Sequence, residues 1–279
     1  MLNWEINQYS KLIHKIMDSG ELRASRAGEV YSLFGEQITI DLQESGFPLL
    51  HGRKMFYNGV LGEFAAFLRG PKNVEDFKKF GCNYWDAWGA IPLPKEEGNV
   101  GDLTLDYGNS WIDFNGVNQL QNLVDTLIKN PLDRRMIISG WRPDRLAELS
   151  LPCCHLLYQW YVREGEYLDM IWYQRSVDTM VGLPSDVILA AIWNIVLANQ
   201  CGYKPGKITL VLGDTHIYAN HIQPTLNYLR QLKDANKDRI IKPIDYGLQA
   251  NTTVFNFKPD MLDIIGYEPK PSIKFELNI

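Results

Sequence analysis

Residues 187–201 read VILAAIWNIVLANQC, apolar at almost every position. Wound as a helix, they leave no polar face, so this helix must be enclosed on all sides. No stretch of the chain approaches about 18 uninterrupted apolar residues, so the expected enclosure is the protein's own interior and not a bilayer. Segments able to enclose it flank it in sequence. Residues 155–178 read as two long strands, HLLYQWYV and EYLDMIWYQRSVD, joined through Arg163-Glu164-Gly165 as a hairpin. Residues 207–213 (KITLVLG) read as a further strand.

The rest of the chain supplies more of both element types. In MLNWEINQYSKLIHKIMDSGE, Leu2, Ile6, Tyr9, Leu12, Ile13, Ile16 and Met17 recur at helical spacing, without the basic head or cleavage site of a signal peptide. Residues 30–43 read as a strand that stops at Gly46-Phe47-Pro48. Residues 56–69 and 118–129 read as helices, the second with Leu120, Leu123, Val124 and Leu127 on one stripe. Beyond residue 213 the chain reads as strand and loop, punctuated by Pro259, Pro269 and Pro271. Helices and strands interleave without a βαβ rhythm, so the expected class is α+β, a mixed or mostly antiparallel sheet with one buried helix. No repeat, low-complexity run or linker divides the sequence, which predicts one domain over residues 1–279.

Absent patterns narrow the function. There is no GxGxxG or GxxxxGK[ST] loop, which disfavours dinucleotide-binding and P-loop readings. The net charge is −5, 28 basic against 33 acidic residues. That argues against a nucleic-acid polymer as partner, while leaving room for a local site for one phosphate. The four cysteines, Cys82, Cys153, Cys154 and Cys201, form no CxxC pair, so neither a zinc site nor a disulfide framework is expected. With no membrane segment expected either, the chain reads as cytosolic.

Four segments carry candidate chemistry. In Leu151-Pro152-Cys153-Cys154-His155, a cysteine beside a strand can be a nucleophile where nearby positive charge favours its thiolate, although most cysteines are simply small core residues. In Trp172-Tyr173-Gln174-Arg175-Ser176-Val177-Asp178, an arginine at a strand end beside a serine suits a phosphate. The following Gly182-Leu183-Pro184-Ser185-Asp186 offers Ser185 or Asp186 as a cap for the buried helix. Arg134 and Arg135, after Asp133, would usually be surface charges but can clamp a dianion. In Gly213-Asp214-Thr215-His216-Ile217-Tyr218, His216 and Tyr218 share a face if the backbone is extended, and suit a sugar hydroxyl better than a metal.

Together these segments resemble the thymidylate synthase family. The resemblance runs nearly the whole chain: Arg26 with Tyr31-Ser32-Leu33-Phe34-Gly35, Gly46-Phe47-Pro48-Leu49, Glu63, Trp85-Asp86-Ala87-Trp88, Tyr107-Gly108, Asp133-Arg134-Arg135, Pro152 to His155, Tyr173 to Asp178, Gly182-Leu183-Pro184, Gly213 to His221, and the tail from Gly266-Tyr267-Glu268-Pro269. It implies a thymidylate-synthase-like fold and a homodimer packed sheet to sheet. The implied nucleophile is Cys154, adding to C6 of a pyrimidine nucleotide. Arg26, Arg175 and Ser176 match phosphate ligands, and Arg134 and Arg135 match a pair given to the other subunit. His216 and Tyr218 match contacts to the 3′-hydroxyl, Glu63 a carboxylate that organises water for proton transfers, and Tyr107 a residue assisting proton loss from C5. Trp85, Leu151, Asp178 and Gly182, with Arg53 and the C-terminal Ile279, fall on the side of 5,10-methylenetetrahydrofolate. A cysteine hydrolase is the rival reading, but adjacent Cys154 and His155 point to opposite sides of a strand.

One departure bears on the base. After Leu-Pro-aromatic, thymidylate synthases carry an asparagine that pairs with uracil; here the run is Leu183-Pro184-Ser185-Asp186. Aspartate at this position resembles the deoxycytidylate hydroxymethylases. A neutral Asp186 can donate to N3 of cytosine and accept from N4, whereas an ionised one faces the O4 lone pairs of uracil. The expected substrate is therefore dCMP, with a plain helix-capping Asp186 and continued use of dUMP as the alternative. The expected product is 5-hydroxymethyl-dCMP, Cys153 and Ser185 opening the folate side to water. Trp85 and Leu151 look synthase-like, and the hydroxymethylase pattern has a polar residue at Leu151, so methylation to 5-methyl-dCMP stays open. A phage origin, and tolerance of a ribonucleotide, are further expectations from the resemblance alone.

Overall fold

The computed structural model describes residues 3–90 and 99–278. Its centre is the helix Gly182–Cys201, and Leu183, Pro184 and Val187–Ala198 are all buried. By length and composition this helix could span a membrane, but it lies in the interior, packed on the sheet and on the helix Tyr57–Phe67. Its one strongly polar interior side chain, Asn194, donates Nδ2 to the Leu168 carbonyl at 2.8 Å. Gly202 ends the helix in the left-handed conformation, φ 80°.

Six strands form the main sheet: β1 (Glu21–Ser25), β2 (Gly28–Asp41), β3 (Ile137–Ser139), β4 (His155–Arg163), β5 (Tyr167–Asp178) and β6 (Lys204–Tyr218), in the order β1-β2-β6-β5-β4-β3. Only β5 and β6 run parallel, because the central helix connects them as a crossover. The sheet is thus mixed, and the fold α+β as expected. The β4–β5 hairpin turns through Glu164 (φ 58°) and Gly165 (φ 69°), positive-φ residues whose twist matches the strands. Two short strands, β7 (Asp245–Leu248) and β8 (Leu262–Ile265), pair separately.

One face of the sheet meets the helix through Tyr158, Trp160, Leu168, Met170, Trp172, Ile208, Leu210 and Leu212, all buried. The other face stays open: Leu157, Tyr161 and Ile171 are 40%, 63% and 47% exposed. Tyr173 stands between Leu157 and Val211 in the register, and Ile171 between Gln159 and Thr209.

Several boundaries differ from the sequence reading. The helices at 56–69 and 118–129 form as Tyr57–Phe67 and Gln119–Lys129. The first helix is a π-helical turn, Glu5–Tyr9, running into Ser10–Ser19. Glu5 is wholly buried there, accepting from His51 N (2.7 Å), Gly52 N (2.9 Å) and the Tyr228 hydroxyl (2.8 Å). The strand at 207–213 extends over 204–218. The C-terminal region holds a helix, Ile222–Lys237, where strand and loop were expected. Its buried residues Thr225, Tyr228, Leu232 and Ala235, like Ile222, Leu226, Leu229 and Leu232, recur at helical spacing, so the sequence does carry this helix.

Candidate active site

Cys154 closes the loop that leads into β4, and β5 holds that loop. Arg175 donates Nε to the Cys153 carbonyl (2.8 Å) and Nη2 to the Pro152 carbonyl (3.0 Å), while its backbone N–H reaches the Cys154 carbonyl (2.8 Å). Among the described residues Nη1 has no partner, so that edge of the guanidinium can meet an anion. The Cys154 N–H donates to the Tyr107 hydroxyl. Burial pushes the Cys154 thiol up, opposed by the Arg175 charge and by the Tyr107 hydroxyl. The thiol is half-buried; Cys82 and Cys153, by contrast, are buried core residues.

Tyr107 is buried, its ring stacked on Phe67 at 5.3 Å, and its phenol is held well above the usual range by desolvation. His155 lies between the rings of Tyr107 (4.5 Å) and Trp172 (4.3 Å). The Tyr158 hydroxyl donates to the His155 carbonyl (3.0 Å), so its oxygen accepts from His155 Nδ1 at 2.6 Å and leaves Nε2 as the bare nitrogen. Burial lowers the imidazole to about 3. A neutral ring committed to Tyr158 makes no Cys–His dyad with Cys154.

Two carboxyls complete this cluster. Glu63, from the helix Tyr57–Phe67, accepts from the Trp85 indole at 2.8 Å and is pushed up to about 8, mainly by burial. Asp186, in the second turn of the central helix, accepts from Gln174 Nε2 at 2.6 Å and is pushed up to about 7, again by burial. Each lies close enough to raise or be raised by another acid: Asp186 acts on Glu63 and Asp178 on Asp186. Asp186 does not cap the helix. Asp178 lies in the turn before it, its Oδ1 accepting from Met180 N (3.0 Å) and Val181 N (3.1 Å), and among the described residues no side chain caps the helix itself. Ser185 is half-buried and donates to the Val181 carbonyl at 3.4 Å.

The parallel β5–β6 register sets Ser176 beside Asp214 and Asp178 beside His216. His216 Nδ1 bonds Asp214 Oδ1 at 3.0 Å, and its ring meets Tyr218 edge-on at 5.2 Å, so the two share a face as their spacing predicts. Arg26, exposed in the β1–β2 turn, is near enough for its charge to act on the Tyr218 phenol. Arg134 and Arg135 stand exposed before the edge strand β3, and Arg135 is clasped by Asp133 through Nε (2.9 Å) and Nη2 (2.7 Å).

On the other side of Asp178 lie the residues expected near folate. Trp85 is buried, its ring 5.5 Å from Trp88, and Leu151 is half-buried. A Cβ placed on Gly182 would meet only Asp178 Cβ and Asp186 Oδ2, each at 3.7 Å, so there is room above both acids. Arg53 is buried, donating Nη2 to the Met180 carbonyl beneath the ring of Phe275 (4.6 Å), and among the described residues its Nε has no hydrogen-bond partner. An aromatic wall, an open glycine and a buried cation with a free N–H fit a ligand with a flat ring and carboxylates, as folate is. Ile279 lies outside the described residues.

Sequence reasoning quoted Trp172 and Gln174 only as neighbours of Arg175, weighed His155 only as a partner for Cys154, and gave none of the three a role in the site. Their signal was the alternation of β5 and β4, which turns these three into the interior with no charged partner to advertise them. The thymidylate synthase family model matches residues 7–279. A match of that extent, over a mixed sheet that brings Cys154, Arg175, Tyr107, Glu63 and Asp186 to one end of the central helix, means that this chain belongs to the thymidylate synthase family.

Proposed function

We propose that this enzyme uses dCMP and forms 5-hydroxymethyl-dCMP. Membership of the family carries folate-dependent one-carbon transfer to C5 of a pyrimidine nucleotide; the base and the product are our reading. The observation that supports cytosine is Asp186. It is desolvated, free of any capping role and pushed up to about 7, so near neutrality a large fraction is the neutral acid. That acid donates to N3 of cytosine and accepts from N4–H, and its ionised form repels the O4 of uracil. An unpaired buried polar group costs about 1–3 kcal/mol, or roughly 10- to 100-fold in discrimination.

In this reading the Cys154 thiolate adds to C6, which makes C5 nucleophilic. Arg175, Ser176 and Arg26 hold the phosphate, and Arg175 both steadies the loop and favours the thiolate. Glu63, protonated at neutral pH, relays protons through water, and Tyr107 assists proton loss from C5. Methylenetetrahydrofolate, when bound beside Trp85, Leu151, Asp178, Gly182 and Arg53, would supply the one-carbon unit. Tetrahydrofolate would then leave, water would add to the one-carbon group on C5, and the C6–sulfur bond would break to return the Cys154 thiolate and the ring double bond. Cys153 is 1% exposed and gives water no opening, a correction to the expectation that it would; the half-exposed Ser185 hydroxyl beside Asp186 is what supports this step. The buried wall of Trp85 favours the second reading, methylation to 5-methyl-dCMP. The open sheet face supports a homodimer in which Arg134 and Arg135 serve the partner's phosphate site, each chain acting as one cytoplasmic catalytic domain.

Mass spectrometry after incubation with dCMP, dUMP or CMP and methylenetetrahydrofolate tests the reading, with dihydrofolate followed by absorbance. A dCMP product heavier by CH2O, without dihydrofolate, is expected. A gain of CH2 with stoichiometric dihydrofolate establishes methylation instead. Reaction of dUMP alone overturns the role given to Asp186.

A further inference from the structure

Gln174 is buried on β5 between Trp172 and Asp186. The Trp172 indole N–H, which can only donate, reaches Gln174 Oε1 at 3.3 Å. On its other side Gln174 Nε2 donates to Asp186 Oδ2 at 2.6 Å and to the Ser176 carbonyl at 3.3 Å. The opposite amide orientation would set N–H against N–H, and oxygen against a carboxylate and a carbonyl. Trp172 has no room to turn away: it is fully buried, its ring 4.3 Å from His155 and 4.9 Å from Tyr158. The amide is therefore held one way round by packing that lies a strand residue away from the site.

This has a consequence at Asp186. Oδ2 always faces a donor, and a carbonyl-type oxygen accepts better than a hydroxyl oxygen, so the proton of the neutral acid belongs on Oδ1. Cytosine and uracil present reversed patterns at this edge: uracil accepts at O4 and donates from N3–H, whereas cytosine donates from N4–H and accepts at N3. A carboxyl free to place its proton on either oxygen can match both bases; one polarised by its neighbour matches one.

We propose that Trp172 is a positioning residue for base selectivity: its indole N–H locks the Gln174 amide, and the locked amide decides which oxygen of Asp186 accepts from the base and which donates to it. The inference rests on the reading that Asp186 faces the base. The experiment is calorimetric binding of dCMP and of dUMP, without folate, across the pH range of Asp186's titration, for wild type, Asp186→Asn, Trp172→Phe, Gln174→Met and the Trp172→Phe/Gln174→Met pair. Phenylalanine keeps the ring against His155 and removes only the donor. Trp172→Phe narrows the preference between the two nucleotides roughly tenfold. It also moves the pH midpoint of dCMP binding upward, because a turned amide sets its oxygen against the carboxylate. Gln174→Met shows the same loss of preference, and the pair is no worse than Gln174→Met alone.

A merely structural Trp172 would weaken both nucleotides alike and leave preference and midpoint where they were; that result overturns the lock. If Asp186→Asn leaves the preference unchanged, it is the reading of Asp186 that fails. Should Trp172→Phe not fold, the wild-type protein still decides. The Gln174 side-chain amide signal, identified by its loss in Gln174→Met, must titrate with the midpoint of dCMP binding, and a static signal rejects the proposal.

Discussion

At the scale of single residues the site is a contest between burial and a few fixed partners. Cys154 is held up by desolvation and drawn down by Arg175, so it reacts only when the cation is well placed. Cys154→Ser is expected to cut turnover by about 10³-fold or more while nucleotide binding survives, which steady-state kinetics and calorimetry separate. Glu63, at about 8, is the acid of the site, and the Trp85 indole is what favours its carboxylate. Glu63→Gln should lower kcat by roughly 10²–10⁴. Trp85→Phe removes the stabilising donor, so Glu63 titrates higher and the alkaline limb of the pH–kcat profile shifts up. Asp186 also links pH to stability. Its folded value of about 7 lies above its ordinary 3.8, so its contribution is fully present below that ordinary value and is lost as pH rises through about 7. Asp186→Asn should accordingly gain thermal stability relative to wild type as pH rises through that window, and show no such gain in acid.

At the scale of elements, the start of the central helix and the approach to Tyr107 are the two points where local geometry serves the site. Asp178 takes the Met180 and Val181 N–H groups in the turn that leads into the helix. Asp178→Ala should cost about 1 kcal/mol of stability, measured by denaturant unfolding, and displace the turn that carries Gly182. Gly108 has φ 72°, and a Cβ there would stand 2.1 Å from the Phe67 carbonyl oxygen. Gly108→Ala should therefore cost about 2–4 kcal/mol and move Tyr107 away from the Cys154 N–H, visible as a lowered Tm together with lost activity.

At the scale of the whole molecule, the sheet has one face against the central helix and one face, of Leu157, Tyr161, Ile171 and the half-buried Tyr173, that the described residues leave open. A patch of this kind calls for a partner, and in the proposed dimer that partner is a second copy. Ile171→Asp should leave the monomer folded, since the residue is exposed there, and shift sedimentation from dimer to monomer with loss of activity. Mixed subunits report on the arginines. Cys154→Ser is inactive alone, and so is the pair Arg134→Ala/Arg135→Ala. Hybrid dimers of the two rebuild one complete site, and the mixture should recover about a quarter of wild-type activity.

Sequence alone determined the elements whose pattern is strong and local. An all-apolar stretch had to become the enclosed helix, alternating apolar strands around Arg163-Glu164-Gly165 had to become the hairpin, and the ordered motifs around Cys154, Arg175 and His216 were legible because each is short and chemically distinctive. The helix Ile222–Lys237 was legible too, in the helical spacing of Ile222, Leu226, Leu229 and Leu232, and the expectation of strand and loop there overlooked it. Strand β1 was hidden, because every residue in it is exposed and only pairing with β2 makes it a strand. Tertiary structure alone decided that Asp186 is a desolvated acid and not a helix cap, that His155 is spent on Tyr158, and that Gln174 turns its amide N–H to Asp186. Each of those is a choice among hydrogen-bond partners that nearness in sequence leaves open, and such a choice is made only when burial removes water as the alternative partner.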